Sequence, residues 1–493
     1  MSKPHHPPTN DFSAALERYK PYLRPEEFAK LQEASQQPAR TAIRVNLLKS
    51  SQPREDLQRW AESYGWETLP IPFCPSGRIL FNFAKSPSQT VEHRLSYYYL
   101  QDAASMLPVS LFSPTRKGSL TLDMAASPGG KTTQLVDTNY DHDFVVANDS
   151  SASRLQALKV VLQTWGAVNT VITNYPGEKL GDWFPETFDR VLLDAPCSME
   201  SLRVSVSHPH RAITARERQR LASRQLALLE SAVKAARLGG EIVYSTCTMA
   251  PEEDEMVLDT FLETHPGVIR VEKAALENVL TPGLNQFENR QFDPQVANSL
   301  RIWPFVFDTN GFFTAKLTKL KPMPNNDLVK PYRPFASTGL SPLTPSEEGV
   351  ILDHMVKTYE FDLQSCLEEF SLALYRRDQN IYFIPLQYLQ YFSNLPYYAL
   401  GMPAGRLLGS AFGVSVDFVS RFGDAFRKNV WIIPDNLIDE WLKGADLRNL
   451  TIEGCQTGSI VAVRDGRGKN LGAGKNLPNR LRNLLPNRNI RFK

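Results

Sequence analysis

Residues Leu122–Leu135 read LDMAASPGGKTTQL. An apolar run ends at Asp123, a loop of small residues turns through Pro128, Gly129 and Gly130, and the spacing predicts a helix from Lys131. A strand that passes through a glycine turn into a helix aims backbone N–H groups at whatever lies beyond the strand's carboxyl end. Similar units follow. FVVANDS (144–150) precedes a predicted helix from Ala152, NTVITN (169–174) and FDRVLLDAP (188–196) read as further buried strands, and a long helix near Arg216–Arg237 leads into GGEIVYSTC (239–247). Short apolar strands alternating with helices predict an α/β fold on a parallel, doubly wound, Rossmann-like sheet.

On either side the pattern changes. Upstream, a helix is predicted over about Asp11–Gln36, then strands over Ala42–Leu48 and Ile79–Phe83. Downstream, the sheet region closes near GFFTAKLTKL (311–320), and a proline-rich stretch reads as a linker. The remainder is expected to be a separate unit, with helical segments near Ser346–Phe370, strands LALYRR (372–377) and NIYFIP (380–385), and a helix near Pro434–Lys443. The expected division is a small mixed α+β region at 1–115, the doubly wound domain at 116–320, a linker at 321–345, a connecting α+β domain at 346–395 and a basic β-rich module at 396–493.

The chain has 493 residues, 42% of them hydrophobic, and a formal net charge of +2, which excludes a disordered or collagen-like polymer. No apolar run reaches the roughly eighteen residues of a membrane span. The amino-terminal MSKPHHPPTNDF has no apolar core of the kind a secretory signal needs, so a cytoplasmic protein is expected. Five cysteines, Cys74, Cys197, Cys247, Cys366 and Cys455, are far apart and form no CxxC pair, so neither a disulfide framework nor a metal site is expected. Residues 451–493 carry nine Lys or Arg against Glu453 and Asp465, a net of +7, and are expected to face a polyanion while remaining dispensable for folding of the sheet.

Three readings compete for the glycine loop. A phosphate loop of the G-x-x-x-x-G-K-[ST] type fits at Gly130, Lys131 and Thr132 but has Ala125 at its first glycine, and RVLLDAP resembles the acidic strand of such a site. S-adenosylmethionine would use the wide small-residue loop and a ribose-binding carboxylate, which Asp149 supplies at the end of the next strand. Plain strand-to-helix packing is the third. DAPCSMES and VYSTCTMAPEEDE then place Cys197 and Cys247 just past two core strands, where open parallel sheets bind ligands.

With RVNLLK, YYYLQDAASMLP, the glycine loop, DAPCS, STCT and RIWPFVFDTNGFFTAKL in order over about Thr41–Leu320, the chain resembles the Sun/Fmu family of RNA cytosine carbon-5 methyltransferases, the group containing RsmB and RsmF. SIVAVRDGRGKNLGAGKNLPNRLRNLLP resembles the PUA-like RNA-binding module of RsmF-type enzymes. The resemblance implies S-adenosyl-L-methionine as methyl donor, held by Asp123, Ala125, Ala126, Ser127, Pro128, Gly129, Gly130, Lys131, Asp149, Arg154 and Asp194. It gives Cys247 the role of the thiolate that adds to carbon-6 of a flipped cytosine, and Cys197 the release of the product. Asp194 resembles the residue that hydrogen-bonds the base, and Lys131 one at the junction of donor and base.

Ribosomal RNA is favoured as substrate over transfer RNA, the partner is RNA and not a membrane, and the protein is expected to be a monomer. RVNLLK and the basic module would hold phosphates. Two further readings stand beside this one: a DNA cytosine methyltransferase with Cys197 as nucleophile, and an RNA-binding ribosome-assembly factor whose activity has decayed. Three residues depart from the family pattern: Met199 and Ser201 replace the glycines of DAPCSGEG, although Glu200 and Arg203 match, and Pro176 replaces an aspartate expected against the adenine.

Overall fold

The computed structural model describes residues 16–203, 213–274, 276 and 280–485. The central apolar runs build one ten-stranded sheet. In chain order its strands are β1 (Leu120–Asp123), β2 (Phe144–Asn148), β3 (Thr170–Thr173), β4 (Phe188–Asp194), β5 (Ala236–Thr246), β6 (Ile269–Glu272), β7 (Thr281–Pro282), β8 (Leu300–Ile302), β9 (Phe312–Lys319) and β10 (Ala399–Leu400). Five strands in the spatial order β3-β2-β1-β4-β5 are parallel, and β9 returns antiparallel along β5 with Phe313 opposite Thr246. Helices α1 (Gly130–Thr138), α2 (Ala152–Trp165), α3 (Ala215–Ala235) and α4 (Glu255–Thr264) make connections between strands.

Leu122, Val146, Val171, Val191, Leu193 and Ile242 are all buried, as strands covered on both faces require. From β1 the chain winds outward through α1 to β2, whereas β4 lies on the other side of β1. The strand order therefore reverses between β1 and β4, and the connections leaving their carboxyl ends diverge to leave a crevice.

A second sheet, Glu67–Ile71, Cys74–Phe81, Ala42–Val45 and Tyr98–Leu100 in that spatial order, stands against this crevice. Arg44 joins the two. Its guanidinium is fully buried and donates to the Asp137 carboxylate, to Thr133 Oγ1 at 2.6 Å, to the Gly130 carbonyl at 3.0 Å and to Gln101 Oε1 at 3.1 Å, with the Trp165 ring 4.9 Å away. Asn46 Nδ2 donates to the carbonyls of Ser96 and Trp165, and Lys49 Nζ to those of Leu95 and Thr164. The expectation that RVNLLK holds phosphates is thus overturned for its polar side chains, which hydrogen-bond to α1, to α2, to the Leu95–Ser96 turn and, from Lys49, to Ser420. Burial pushes the Asp137 carboxyl up to about 6, against the pull of Arg44.

The first predicted helix is interrupted. Leu16 and Glu17 are helical, and the chain then forms a short 3-10 turn at Lys20–Tyr22 and a further α-helix over Pro25–Ser35, because Pro21 and Pro25 cannot sit inside a continuous helix; Asp11 to Ala15 lie outside the described residues. Ser346–Phe370 is likewise divided, into helices Pro345–His354 and Leu363–Glu369 separated by a wider turn that ends at Glu360, whose φ is 50°.

The carboxyl-terminal part is not separate. Strand β10 pairs antiparallel with β3, and Phe392 packs against Phe144, Phe184 and Phe188 with ring centroids 5.5–5.9 Å apart. Burying such a ring contributes about 1.5–3 kcal/mol, so the segment around it is anchored to the sheet. A five-stranded sheet of Ser341–Pro342, Leu372–Arg377, Asn380–Pro385, Met402–Leu408 and Ala411–Val414 contains residues on both sides of 395, so the division expected there falls within a sheet. The last sheet spans Val430–Ile432 to Arg480–Asn483.

Nor are the basic residues of the tail all free for a polyanion. Lys469 Nζ lies 2.5 Å from the buried Glu92, which also accepts the Tyr64 hydroxyl at 2.7 Å; Arg464 donates to the Gly423 and Phe426 carbonyls; and Tyr97 donates to the Asn470 carbonyl. Trp441, Leu471 and Leu481 share a core with Trp60 and Tyr98. Removing 451–493 would strip that core, which joins the last sheet to the amino-terminal one and contains no residue of the ten-stranded sheet. Arg488, Arg491 and Lys493 lie outside the described residues.

Replacing Arg44 would leave Asp137 buried without its cation. Arg44→Met is expected to lower stability by about 3–5 kcal/mol, read from the midpoint of urea unfolding at unchanged slope. A loss below about 1 kcal/mol would mean that the clasp adds nothing to the fold.

Candidate active site

The glycine turn leaves β1 and enters α1 as its composition requires. Gly129 has φ 113°, a conformation side chains rarely adopt, and a Cβ there would meet Val161 of α2 at 2.9 Å. Gly130 lies under Tyr99, 3.1 Å from where a Cβ would stand. These two positions let the loop pass between α2 and the second sheet. Ala126 is buried and donates to the Asn148 carbonyl, Ala125 is half-buried, and Pro128 is exposed.

Asp123 is buried at the end of β1 and accepts the Thr132 hydroxyl at 2.7 Å, while its Oδ1 has no partner; the buried Ser127 Oγ has none either. Burial raises the Asp123 carboxyl to about 7, chiefly through loss of solvation. Asp149, at the end of β2, accepts the backbone N–H of Ser127 at 3.1 Å and of Ser151 at 2.8 Å. Arg154 approaches the same carboxylate at 3.8 Å and donates to the Ser127 carbonyl. Asp149 and Arg154 therefore brace the loop, and each carboxylate oxygen keeps a further lone pair.

Asp194 ends β4 opposite Ser245 of β5. One of its oxygens accepts Lys131 Nζ at 2.8 Å and the other accepts Ser245 Oγ at 2.8 Å. Lys131 also donates to Ser105 Oγ at 3.1 Å and lies 5.3 Å from the centre of the Phe312 ring. Burial alone would push its ammonium down, but Asp194, with smaller contributions from Cys247 and Asp123, reverses this and holds it above the ordinary lysine range. Lys131 is thus a fixed cation at the mouth of the crevice.

The parallel register of β4 and β5 brings the two cysteines together, with Cys197 Sγ 3.2 Å from Cys247 Sγ. The hydrogen bond with Cys247, burial, and the charges of Cys247 and Glu253 raise the Cys197 thiol well above the usual range. Either sulfur can be the donor across this contact.

Met199 has φ 64°, the left-handed conformation for which glycine is suited, so the departure at this position places a strained, exposed side chain two residues from Cys197. Glu200 holds Arg218 through two 2.8 Å bonds, and Arg203 donates to the carbonyls of Ala34, Gln37 and Thr309. Sequence reasoning misses Ser105, Thr132 as a partner of Asp123, and Ser245. For Ser245 the signal is present, since it immediately precedes Thr246 and Cys247, whereas Ser105 reaches Lys131 only through the packing of the second sheet.

A parallel sheet that reverses between β1 and β4, with a glycine turn on one side of the reversal and two thiols on the other, defines a Rossmann-like methyltransferase. A family described as 16S rRNA methyltransferase RsmB/F matches residues 110–318, and one described as the N-terminal domain of 16S rRNA methyltransferase RsmF matches residues 13–103. The chain belongs to the ribosomal RNA small subunit methyltransferase F family. It is 31% identical to the family member of Erwinia tasmaniensis over 86% of this chain and 85% of that one, and 31% identical to that of Psychromonas ingrahamii over 92% of each. Among solved structures, a methyltransferase homologue from Pyrococcus horikoshii is 28% identical with a TM-score of 0.54, over 62% of this chain and 99% of that chain.

Asp123 also gives stability a pH dependence. Its carboxyl titrates near 4 in the unfolded chain and at about 7 in the folded one. Between these values the unfolded state has already lost a proton that the folded state keeps, so this residue's contribution falls as pH rises from about 4 to about 7. Asp123→Asn is expected to flatten that fall in denaturant-unfolding free energies measured across the window. An unchanged slope would show that the carboxyl ionises normally in the fold.

Proposed function

We propose that this protein transfers a methyl group to carbon-5 of a cytosine in ribosomal RNA of the small subunit, with Cys247 as nucleophile. The observation that carries the reading is the pair of thiols at 3.2 Å, beside the Asp194–Lys131 pair at the reversal of strand order. The names of the relatives supply the substrate class.

S-adenosyl-L-methionine fits the glycine-loop side. Asp123 Oδ1 and Ser127 Oγ are buried polar atoms that lack partners, and Asp149 has acceptor capacity left for ribose hydroxyls. With the small-residue loop these residues would hold it, and it supplies an electrophilic methyl group on sulfur. The remaining chemistry belongs to the chain. Carbon-5 of cytosine is a weak nucleophile, so the Cys247 thiolate first bonds to carbon-6 and the ring becomes an enamine at carbon-5. Asp194 and Lys131 place a carboxylate and an ammonium at the reversal of strand order, where they would stabilise charge on the pyrimidine.

Held at the glycine loop, S-adenosyl-L-methionine would supply the methyl group that carbon-5 takes up, its sulfur keeping the electron pair of the bond given up. For release, Cys197 as its thiolate takes the proton from carbon-5, the carbon–hydrogen electron pair closes the carbon-5–carbon-6 double bond, and the carbon-6–sulfur bond breaks with its electron pair returning to Cys247. The β-rich carboxyl-terminal part is read as a PUA-like RNA-binding module.

The order of these steps separates the thiols. Cys247→Ala should abolish both labelled-methyl transfer and any covalent RNA complex. Cys197→Ala should methylate once and remain bonded to RNA, giving a slower band on a denaturing gel that carries the label and disappears when Cys247→Ala is added. The DNA-type assignment requires the reverse, and that result would overturn both roles. Bisulfite sequencing of ribosomal and transfer RNA from a deletion strain would identify the target as the position that loses protection.

A further inference from the structure

Two buried polar residues outside this mechanism close on the Cys197 loop. Gln225 projects from α3 and Glu253 from the loop after β5, and both are inaccessible to solvent. Gln225 Nε2 donates to the Pro196 carbonyl and to Glu253 Oε2, each at 2.9 Å, and the same carboxylate oxygen accepts the Ser198 N–H at 2.9 Å. The backbone groups on either side of Cys197 are therefore ends of one hydrogen-bonded chain. Glu253 is itself fixed, since its carbonyl accepts the Tyr244 hydroxyl at 2.6 Å and its N–H donates to the Ala250 carbonyl. Ser198 Oγ and Thr248 Oγ1, 3.1 Å apart, tie the two cysteine loops a second time.

The arrangement is costly for stability alone. Gln225 Oε1 and Glu253 Oε1 are buried with no partner, and each such atom forfeits its hydration. Apolar side chains of the same size would fill the space without that penalty, so what the pair contributes is placement. Cys247 does not depend on it in the same way, because β5 and the Ser245–Asp194 bond already hold the start of its loop.

We infer that Gln225 and Glu253 are positioning residues that set Cys197 for the release step, acting by hydrogen bonding rather than by charge. The inference rests on the proposed role of Cys197 in release. Removing the clamp should loosen Cys197 and leave the attack of Cys247 intact, reproducing the Cys197→Ala behaviour in milder form.

The test uses the full chain with labelled methyl donor and unmethylated small-subunit ribosomal RNA. Glu253→Met and Gln225→Met remove the bonds while keeping bulk. They should label RNA in the first turnover at a rate within about threefold of the parent, and lengthen the life of the covalent complex by about ten- to a hundred-fold, the scale on which misplacement of a reacting group acts. Glu253→Gln can still accept both bonds through its amide oxygen and should release product as the parent does. Normal release in both Met variants overturns the inference. So does loss of first-turnover labelling in both, which would assign the residues to attack or to folding, and so does trapping by Glu253→Gln, which would assign the effect to charge. If Cys197→Ala itself fails to trap RNA, the reading of Cys197 fails instead.

Discussion

The buried guanidinium of Arg44 is the interaction on which the site most depends. It leaves the amino-terminal sheet and ends on the first turn of α1, at the Gly130 carbonyl and Thr133 Oγ1, with Asp137 one turn further along. That turn begins at the glycines and carries Lys131, so one cation fixes the depth at which α1 enters the crevice. A buried ion pair adds little net stability over an apolar contact, but it tolerates far less variation in geometry. Here the geometry it enforces brings the wall that carries Ser105 and Tyr99 up to the loop that carries Lys131.

A second constraint acts across the sheet. Because β4 and β5 are parallel neighbours in fixed register, residues the same distance beyond their ends emerge side by side, and Asp194 opposite Ser245 puts Cys197 next to Cys247. The polar groups around this pair are asymmetric. Lys131 stands on the Cys247 side, whereas Gln225 and Glu253 hold the backbone on either side of Cys197.

Much of this is legible in the sequence. The strand ends at Asp123, Asp149 and Asp194, the glycine turn and the two cysteines all lie where alternating apolar runs place them, because local periodicity decides where a buried parallel strand stops. What periodicity does not show is which partner satisfies a polar side chain. Arg44 reads as an edge-strand cation facing phosphate, and only the packing of a helix nearly a hundred residues later reveals Asp137 as its acceptor. Lys469 misleads for the same reason, since Glu92 lies 377 residues away. The proline-rich stretch marks a change of character near 321, but its composition says nothing about the return of β10 to the edge of the earlier sheet.

That return bears on how the protein is made. The free edge of β3 is a row of unpaired backbone groups, the kind of template on which other chains add and aggregate. Its cover comes from Ala399 and Leu400, more than two hundred residues downstream. At elongation rates of about 5–20 residues per second, the edge stays open for roughly ten to fifty seconds after β3 is synthesised. The nascent chain must spend that interval with an unfinished sheet, and the interval is set by the length of everything inserted between the two strands.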